Sequence, residues 1–116
     1  MKNPLRLYGI PNCDTMKKAR SWLESHDLAY DFHDYKKSGI TRGRLESWIA
    51  AVGWEVLLNR AGTTFRKLPD KDKTNVTEAR AIALMLEQPS MIKRPVLERG
   101  RKILVGFSPE KYSELK

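Results

Sequence analysis

Residues 5–23, LRLYGIPNCDTMKKARSWL, carry a strand, a break and a helix in one short stretch. Leu5, Leu7 and Ile10 flank Tyr8 and Gly9 in the pattern of a short strand, and Gly9 and Pro11 punctuate its end. Met16, Ala19, Trp22, Leu23 and His26 then recur at helical spacing, with Lys17, Lys18 and Arg20 largely on the other faces. Cys13 therefore falls at or just before a helix amino terminus. The unpaired amides and the dipole of such a terminus favour negative charge, which lowers a thiol pKa and supplies the nucleophilic thiolate. Lys17 and Arg20, one and two turns later, are expected to add positive potential. The competing reading is an inert buried cysteine, which position alone does not separate from a reactive one.

Downstream, Tyr30, Phe32 and Tyr35, separated by polar residues in YDFHDY, suggest a second short strand, with parallel pairing to the first expected. Leu45, Trp48, Ile49 and Val52 mark an amphipathic helix over residues 41–52, and a broken helical segment, WEVLLN, follows Gly53. The polar stretch NRAGTTFRKLPDKDKTN reads as a loop with at most short helical turns. Asn75 stands three residues before Glu78, a capping-box-like start for a helix carrying Ala79, Ile82, Ala83 and Leu86, which Pro89 ends. PVLERG and RKILVGF form a hairpin around Gly100, and SPEKYSELK is a terminal helix capped by Ser108 with Pro109 at its first position. The order suits an α/β protein with a thioredoxin-like mixed sheet of about four strands and the central helices as an inserted subdomain.

The whole chain sets the limits of its chemistry. Its 116 residues are enough for one compact domain with its own core, built without disulfide or metal staples. A lone cysteine makes no internal disulfide, and no histidine or cysteine pair stands at metal-ligand spacing. No apolar run reaches about 18 residues, and the amino terminus lacks the apolar core of a signal peptide, so the expected compartment is a reducing cytoplasm with no membrane association. The 22 Lys and Arg against 14 Asp and Glu give a net charge of +8, a field that attracts anionic partners. The basic residues are spread along the chain without an aromatic-laced stripe, so nucleic acid is not the expected partner.

Met16 occupies the place where a Cys-x-x-Cys motif carries its second sulfur, so a catalytic cycle on Cys13 requires an external thiol. Glutathione is small and anionic, and fits the positive field. Arg60 and Arg94 each offer a planar fork for an oxyanion or carboxylate, and the Arg94-Pro95 bond has access to the cis form, which can present backbone groups to a thiol site. His26 and His33 have the chemistry for proton transfer but lie beside no nucleophile motif.

Four segments taken in order, YGIPNCDTMKKARSWL, NRAGTTFRKL, PSMIKRPVL and LVGFSPEKY, resemble the arsenate reductase family of the glutaredoxin-linked type, most of all its YffB branch. The likeness spans essentially the whole chain. It implies a single thioredoxin-fold domain over residues 1–116 with a helical insertion at approximately 39–90. It implies Cys13 as the catalytic cysteine, Arg60 and Arg94 as the first and second anion-site arginines, Asn12 as a polar shaper of the anion loop, and Pro95 as a cis proline after Arg94. Arsenate reductases proper carry a third arginine where this chain reads Val105, Gly106 and Phe107. Its absence removes a charge-assisted contact of about 1.5–3 kcal/mol to an oxyanion and argues against arsenate.

The expectation is a glutathione-dependent thiol oxidoreductase with a monothiol mechanism, acting on a small anionic or disulfide substrate. Glutathione or glutaredoxin is its partner, and no tightly bound cofactor or metal is expected. Two alternatives stand beside it. One is arsenate reduction itself. The other is a non-enzymatic redox adaptor resembling the Spx-type transcription regulators, which bind RNA polymerase and whose Cys-x-x-Cys switch Met16 removes here.

Overall fold

The computed structural model describes residues 4–11 and 13–115. The chain forms two compact units: one from the residues up to Ser38 together with those from Arg94 onward, the other from Gly39–Lys93. The strands are β1 (Leu5–Gly9), β2 (Tyr30–Asp34), β3 (Val96–Arg99) and β4 (Lys102–Val105). The helices are α1 (Asp14–Ser25), α2 (Tyr35–Ser38), α3 (Arg42–Val52), α4 (Trp54–Leu57), α5 (Thr63–Arg66), α6 (Asp70–Lys73), α7 (Glu78–Glu87) and α8 (Pro109–Tyr112).

The discontinuous unit is a four-stranded mixed sheet in the order β2-β1-β3-β4, with β1 parallel to β2 and antiparallel to β3, and β3 antiparallel to β4. Parallel neighbours need a crossover, and α1 supplies it. Leu5 and Leu7 of β1 and Leu97 of β3 share a core with Met16, Ala19 and Leu23 of α1 and with Tyr112 near the carboxyl end. Burying each such aliphatic side chain contributes about 1.5–3 kcal/mol. Tyr8, Val96 and Glu98 alternate to the other sheet face and are buried too. This is the α/β, thioredoxin-like mixed sheet expected from the sequence.

Local chemistry sets the element ends. β2 ends at Asp34, so Tyr35, which the run of spaced aromatics suggests as part of the strand, lies just beyond it. The Asp34 carboxylate accepts hydrogen bonds from the amides of Lys36 and Lys37 at 3.0 and 3.1 Å, turning the chain into α2. Tyr35 is thereby fully buried at the first position of the turn, while Lys36 and Lys37 are exposed. The β3–β4 hairpin turns at Gly100, whose φ of 58° lies in the left-handed region that a two-residue loop requires. Ser108 caps α8 by accepting from the Lys111 amide at 3.1 Å, with Pro109 in the first turn.

In the second unit α3 and α4 pack on α7. Thr41 caps α3 through the Arg44 amide, and Gly53, with φ 90°, separates α3 from α4. Leu58 bridges Ile92 in antiparallel fashion, and the Lys93 amide reaches the Leu57 carbonyl at 2.8 Å. The loop-like basic stretch contains the short turns α5 and α6. The start of α7 differs from expectation: Thr77, not Asn75, is its cap and accepts from the Arg80 amide at 3.2 Å. Asn75 has φ 54°, whereas a cap residue needs extended backbone. The buried face of α7 is accordingly Ala81, Ile82, Leu84 and Met85, with Ala79 and Ala83 exposed. Among the described residues no helix is long and apolar enough to cross a membrane.

Candidate active site

β1 ends at Gly9, and α1 begins four residues beyond its successor Ile10, so Cys13 is delivered to the carboxyl end of a parallel strand and the amino end of a helix at once. It occupies the cap position with extended backbone, φ −104° and ψ 133°, and its carbonyl receives the first helical bond from Lys17 at 3.0 Å. Its side chain is half-buried and makes no closed cap hydrogen bond. Burial is the largest single influence on the thiol and opposes ionisation. The amide of Met16, the guanidinium of Arg94 and the amide of Thr15 together outweigh it, and the thiol ends below its ordinary value.

Arg94 reaches the sulfur from the segment before β3. The Arg94-Pro95 peptide is cis, and the Pro95 carbonyl accepts from the Gly106 amide at 2.8 Å. Pro95 has no N–H to donate, and its carbonyl is engaged by Gly106. The guanidinium donates to Cys13 and also to the hydroxyl of Tyr35. Burial, above all, pushes the Tyr35 phenol up, Arg94 pulls the other way, and Cys13 and Asp34 add to the rise.

Cys13, Arg94 and Pro95 therefore meet within the discontinuous unit. Arg60 stands in the other unit, exposed, with its guanidinium 5.6 Å above the Trp54 ring. Asn12 lies outside the described residues. The positive charge at the thiol comes from Arg94 rather than from Arg20, whose Nε donates to the Tyr30 hydroxyl at 3.0 Å and whose guanidinium lies 4.7 Å over Phe32. His26 stacks on Trp22 at 3.9 Å as the α1 cap residue, and His33 packs against Tyr8 at 5.1 Å. Tyr35 was not singled out by its sequence. The available signal was its place just past the end of β2, since ligands in parallel sheets gather outside the strands' carboxyl ends.

Met16 explains the missing second sulfur in packing terms. It is 1% exposed, and a Cβ added to Gly9 would meet its Sδ at 2.2 Å. The thioether thus fills the space left by a glycine on β1. The stretch Val105–Gly106–Phe107 is similarly occupied: Val105 pairs with Val96, Gly106 has φ 78° and holds the Pro95 carbonyl, and the Phe107 ring meets Tyr112 edge-on at 4.9 Å.

Residues 8–115 match the ArsC family. The chain belongs to the ArsC family. An uncharacterized protein of Haemophilus influenzae is 37% identical over 93% of this chain and 95% of its own length. The global transcriptional regulator Spx of Streptococcus mutans is 29% identical over 90% of this chain and 77% of its own. Among solved structures, the YFFB protein shares 62% identity with a TM-score of 0.91, covering 95% of this chain and 96% of its own. An arsenate reductase (ArsC) related protein from Brucella melitensis shares 58% identity with a TM-score of 0.79, covering 96% and 92%. In this ArsC-family chain the half-buried thiol, the cis peptide and Arg94 form one cluster on a thioredoxin-like sheet.

Proposed function

We propose that the protein is a monothiol oxidoreductase that reduces glutathione mixed disulfides or similarly small anionic disulfides. The Cys13 thiolate attacks the glutathionyl sulfur. A Cys13–glutathione disulfide forms, the substrate sulfur leaves as a thiolate and takes up a proton from solvent. A second glutathione thiolate then attacks the adduct, releasing oxidised glutathione and restoring the Cys13 thiolate. The incoming glutathione thiolate supplies the electron pair that the departing substrate thiolate carries away, the original glutathionyl sulfur stays at the disulfide level throughout, and no resident cofactor or metal takes part.

The observation that carries the reading is the hydrogen bond from Arg94 to a thiol whose pKa lies below its ordinary value, with no second cysteine in the chain. The cation stabilises the attacking thiolate, and its planar fork suits the carboxylates of glutathione. Arg60 is proposed to supply a further anion contact and Asn12 to shape the loop before the nucleophile, both on the family likeness. An open groove of about 460 Å³ along α1, lined by Lys17, Lys18, Ser21, Trp22, Ser25 and Phe107, begins one turn beyond Cys13 and offers further positive charge. A reducing, cytoplasmic setting supplies the glutathione.

The test is the glutathione-dependent reduction rate of a small mixed disulfide by purified protein, with Cys13→Ser alongside. A rate well above background that disappears in the variant is expected. A rate that survives in Cys13→Ser defeats the proposal.

A second reading is a regulator that acts by binding RNA polymerase, favoured by the similarity to Spx over 90% of the chain. Inert Cys13 together with polymerase recovered on the purified protein would select it. Arsenate turnover with glutathione and glutaredoxin separates the third possibility, which the Val105–Phe107 stretch disfavours.

A further inference from the structure

We infer that Tyr35 is the positioning residue of the thiol site: its buried hydroxyl accepts a hydrogen bond from Arg94 and so holds the guanidinium against the Cys13 sulfur. The inference deepens the monothiol reading, and rests on it for its catalytic meaning.

Arginine presents five N–H donors in a rigid plane, so one guanidinium can serve two acceptors, and here they are the Cys13 sulfur and the Tyr35 oxygen. The three side chains come from three separate places: the cap of α1, the start of α2 and the residue before β3. Arg94 alone is a long side chain with many rotamers. Tyr35 is not. It is 0% exposed, and the Asp34 carboxylate fixes the turn that places it through its bonds to the Lys36 and Lys37 amides. A rigid acceptor thereby selects one orientation of a flexible donor.

The chemical identity of the acceptor matters. A carboxylate in this place would neutralise the guanidinium and cancel its pull on the thiolate. A phenol kept protonated by burial orients the cation without discharging it. Among the described residues, the charged and titratable groups that act on Cys13 and Tyr35 include Arg94 before β3, Cys13 at α1 and Asp34 at the end of β2, and Asp34 accepts from two backbone amides.

Tyr35→Phe keeps the ring and its packing and deletes the acceptor oxygen. The readout is the pH dependence of Cys13 alkylation by iodoacetamide, which needs no substrate, with thermal melting recorded on the same samples. The midpoint of the alkylation profile is expected to move to higher pH. Alkylation at neutral pH should slow about threefold or more, allowing for the greater nucleophilicity of a more basic thiolate. In an Arg94→Ala background the same substitution should change nothing. An unmoved profile, or the same shift with and without Arg94, overturns the inference.

If Tyr35→Phe does not fold, Arg94→Lys carries the test. The ammonium keeps the charge but not the planar fork, so the midpoint should rise, and a wild-type midpoint overturns the inference. Failure of the two ideas can be told apart. A profile that shifts in a protein without glutathione-dependent turnover retains the Tyr35 role and removes the monothiol reading. An unmoved profile in an active protein does the reverse.

Discussion

Arg94 and Met16 between them decide what Cys13 can do: one supports the thiolate, and the other fills the position from which a second sulfur would resolve it. The thiol itself was readable, because a strand closed by Gly9 and Pro11 and followed by a helical period leaves Cys13 at the helix start. Arg94 was named for its planar fork and the proline after it, but its assignment to the thiol site rested on the family likeness, since a lone arginine before a proline has no local signature. Tyr35 was hidden because its ring reads with Tyr30 and Phe32 as part of the strand, although the three-residue step from Phe32 breaks the period of two and the strand ends at Asp34. Tyr112 shows the same limit from the other side. It is 0% exposed, and its ring meets Trp22 and Phe107 edge-on, yet its hydroxyl has no hydrogen-bond partner among the described residues. Removing a buried unsatisfied oxygen while keeping the ring relieves a desolvation penalty. Tyr112→Phe is therefore expected to leave stability unchanged or raise it by up to about 1 kcal/mol in chemical denaturation, and a loss of that size would show an engaged hydroxyl.

Elements with a strong period and a proper cap were read to within a residue or two. Thr41 with Leu45 and Trp48 fixed α3, and Ser108 with Pro109 fixed α8. The α7 helix is instructive because its existence and its end at Pro89 were clear while its start and phase were not. Alanines at 79, 81 and 83 fit either face, so the pattern could not choose between two registers, and the backbone of Asn75 removed the cap that favoured the wrong one. Thr77→Ala removes the hydroxyl that receives the Arg80 amide and should cost about 1 kcal/mol. Thr77→Ser should retain most of it. Equal melting of Thr77→Ala and the parent would mean that α7 is held by packing alone.

On the scale of the molecule, the parallel first pair followed from the succession of strand, helix and strand and the last pair from the hairpin at Gly100, whereas the order β2-β1-β3-β4 came only with the structure. The site did not follow from the sheet, because its parts belong to distant stretches of chain. The pH response also belongs to this scale. Burial raises both Tyr35 and Tyr112 above the ordinary tyrosine value of 10.0. A raised folded pKa means that the associated stability is complete below the unfolded value and is lost as pH climbs through the folded one. The fold should therefore weaken progressively from about pH 10 upward. Cys13 has the opposite sign: its lowered pKa contributes stability that is complete above the ordinary thiol range and fades as pH falls through the folded value. Denaturation curves of the parent, Cys13→Ser and the Tyr112→Phe, Tyr35→Phe pair against pH check both slopes. A double tyrosine variant that loses stability above pH 10 as steeply as the parent would contradict the assignment.

The discontinuous unit has a further consequence for how the molecule is made. Cys13 leaves the ribosome 81 residues ahead of Arg94, a lead of about 4–16 s at ordinary translation speeds. Throughout that interval the newborn chain carries a thiol without its cation, and the cation arrives only once the whole of Gly39–Lys93 has been synthesised. The lowered thiol pKa is in this sense a certificate of completion: a chain cut short before Arg94 keeps its cysteine and never receives the guanidinium that helps to lower it.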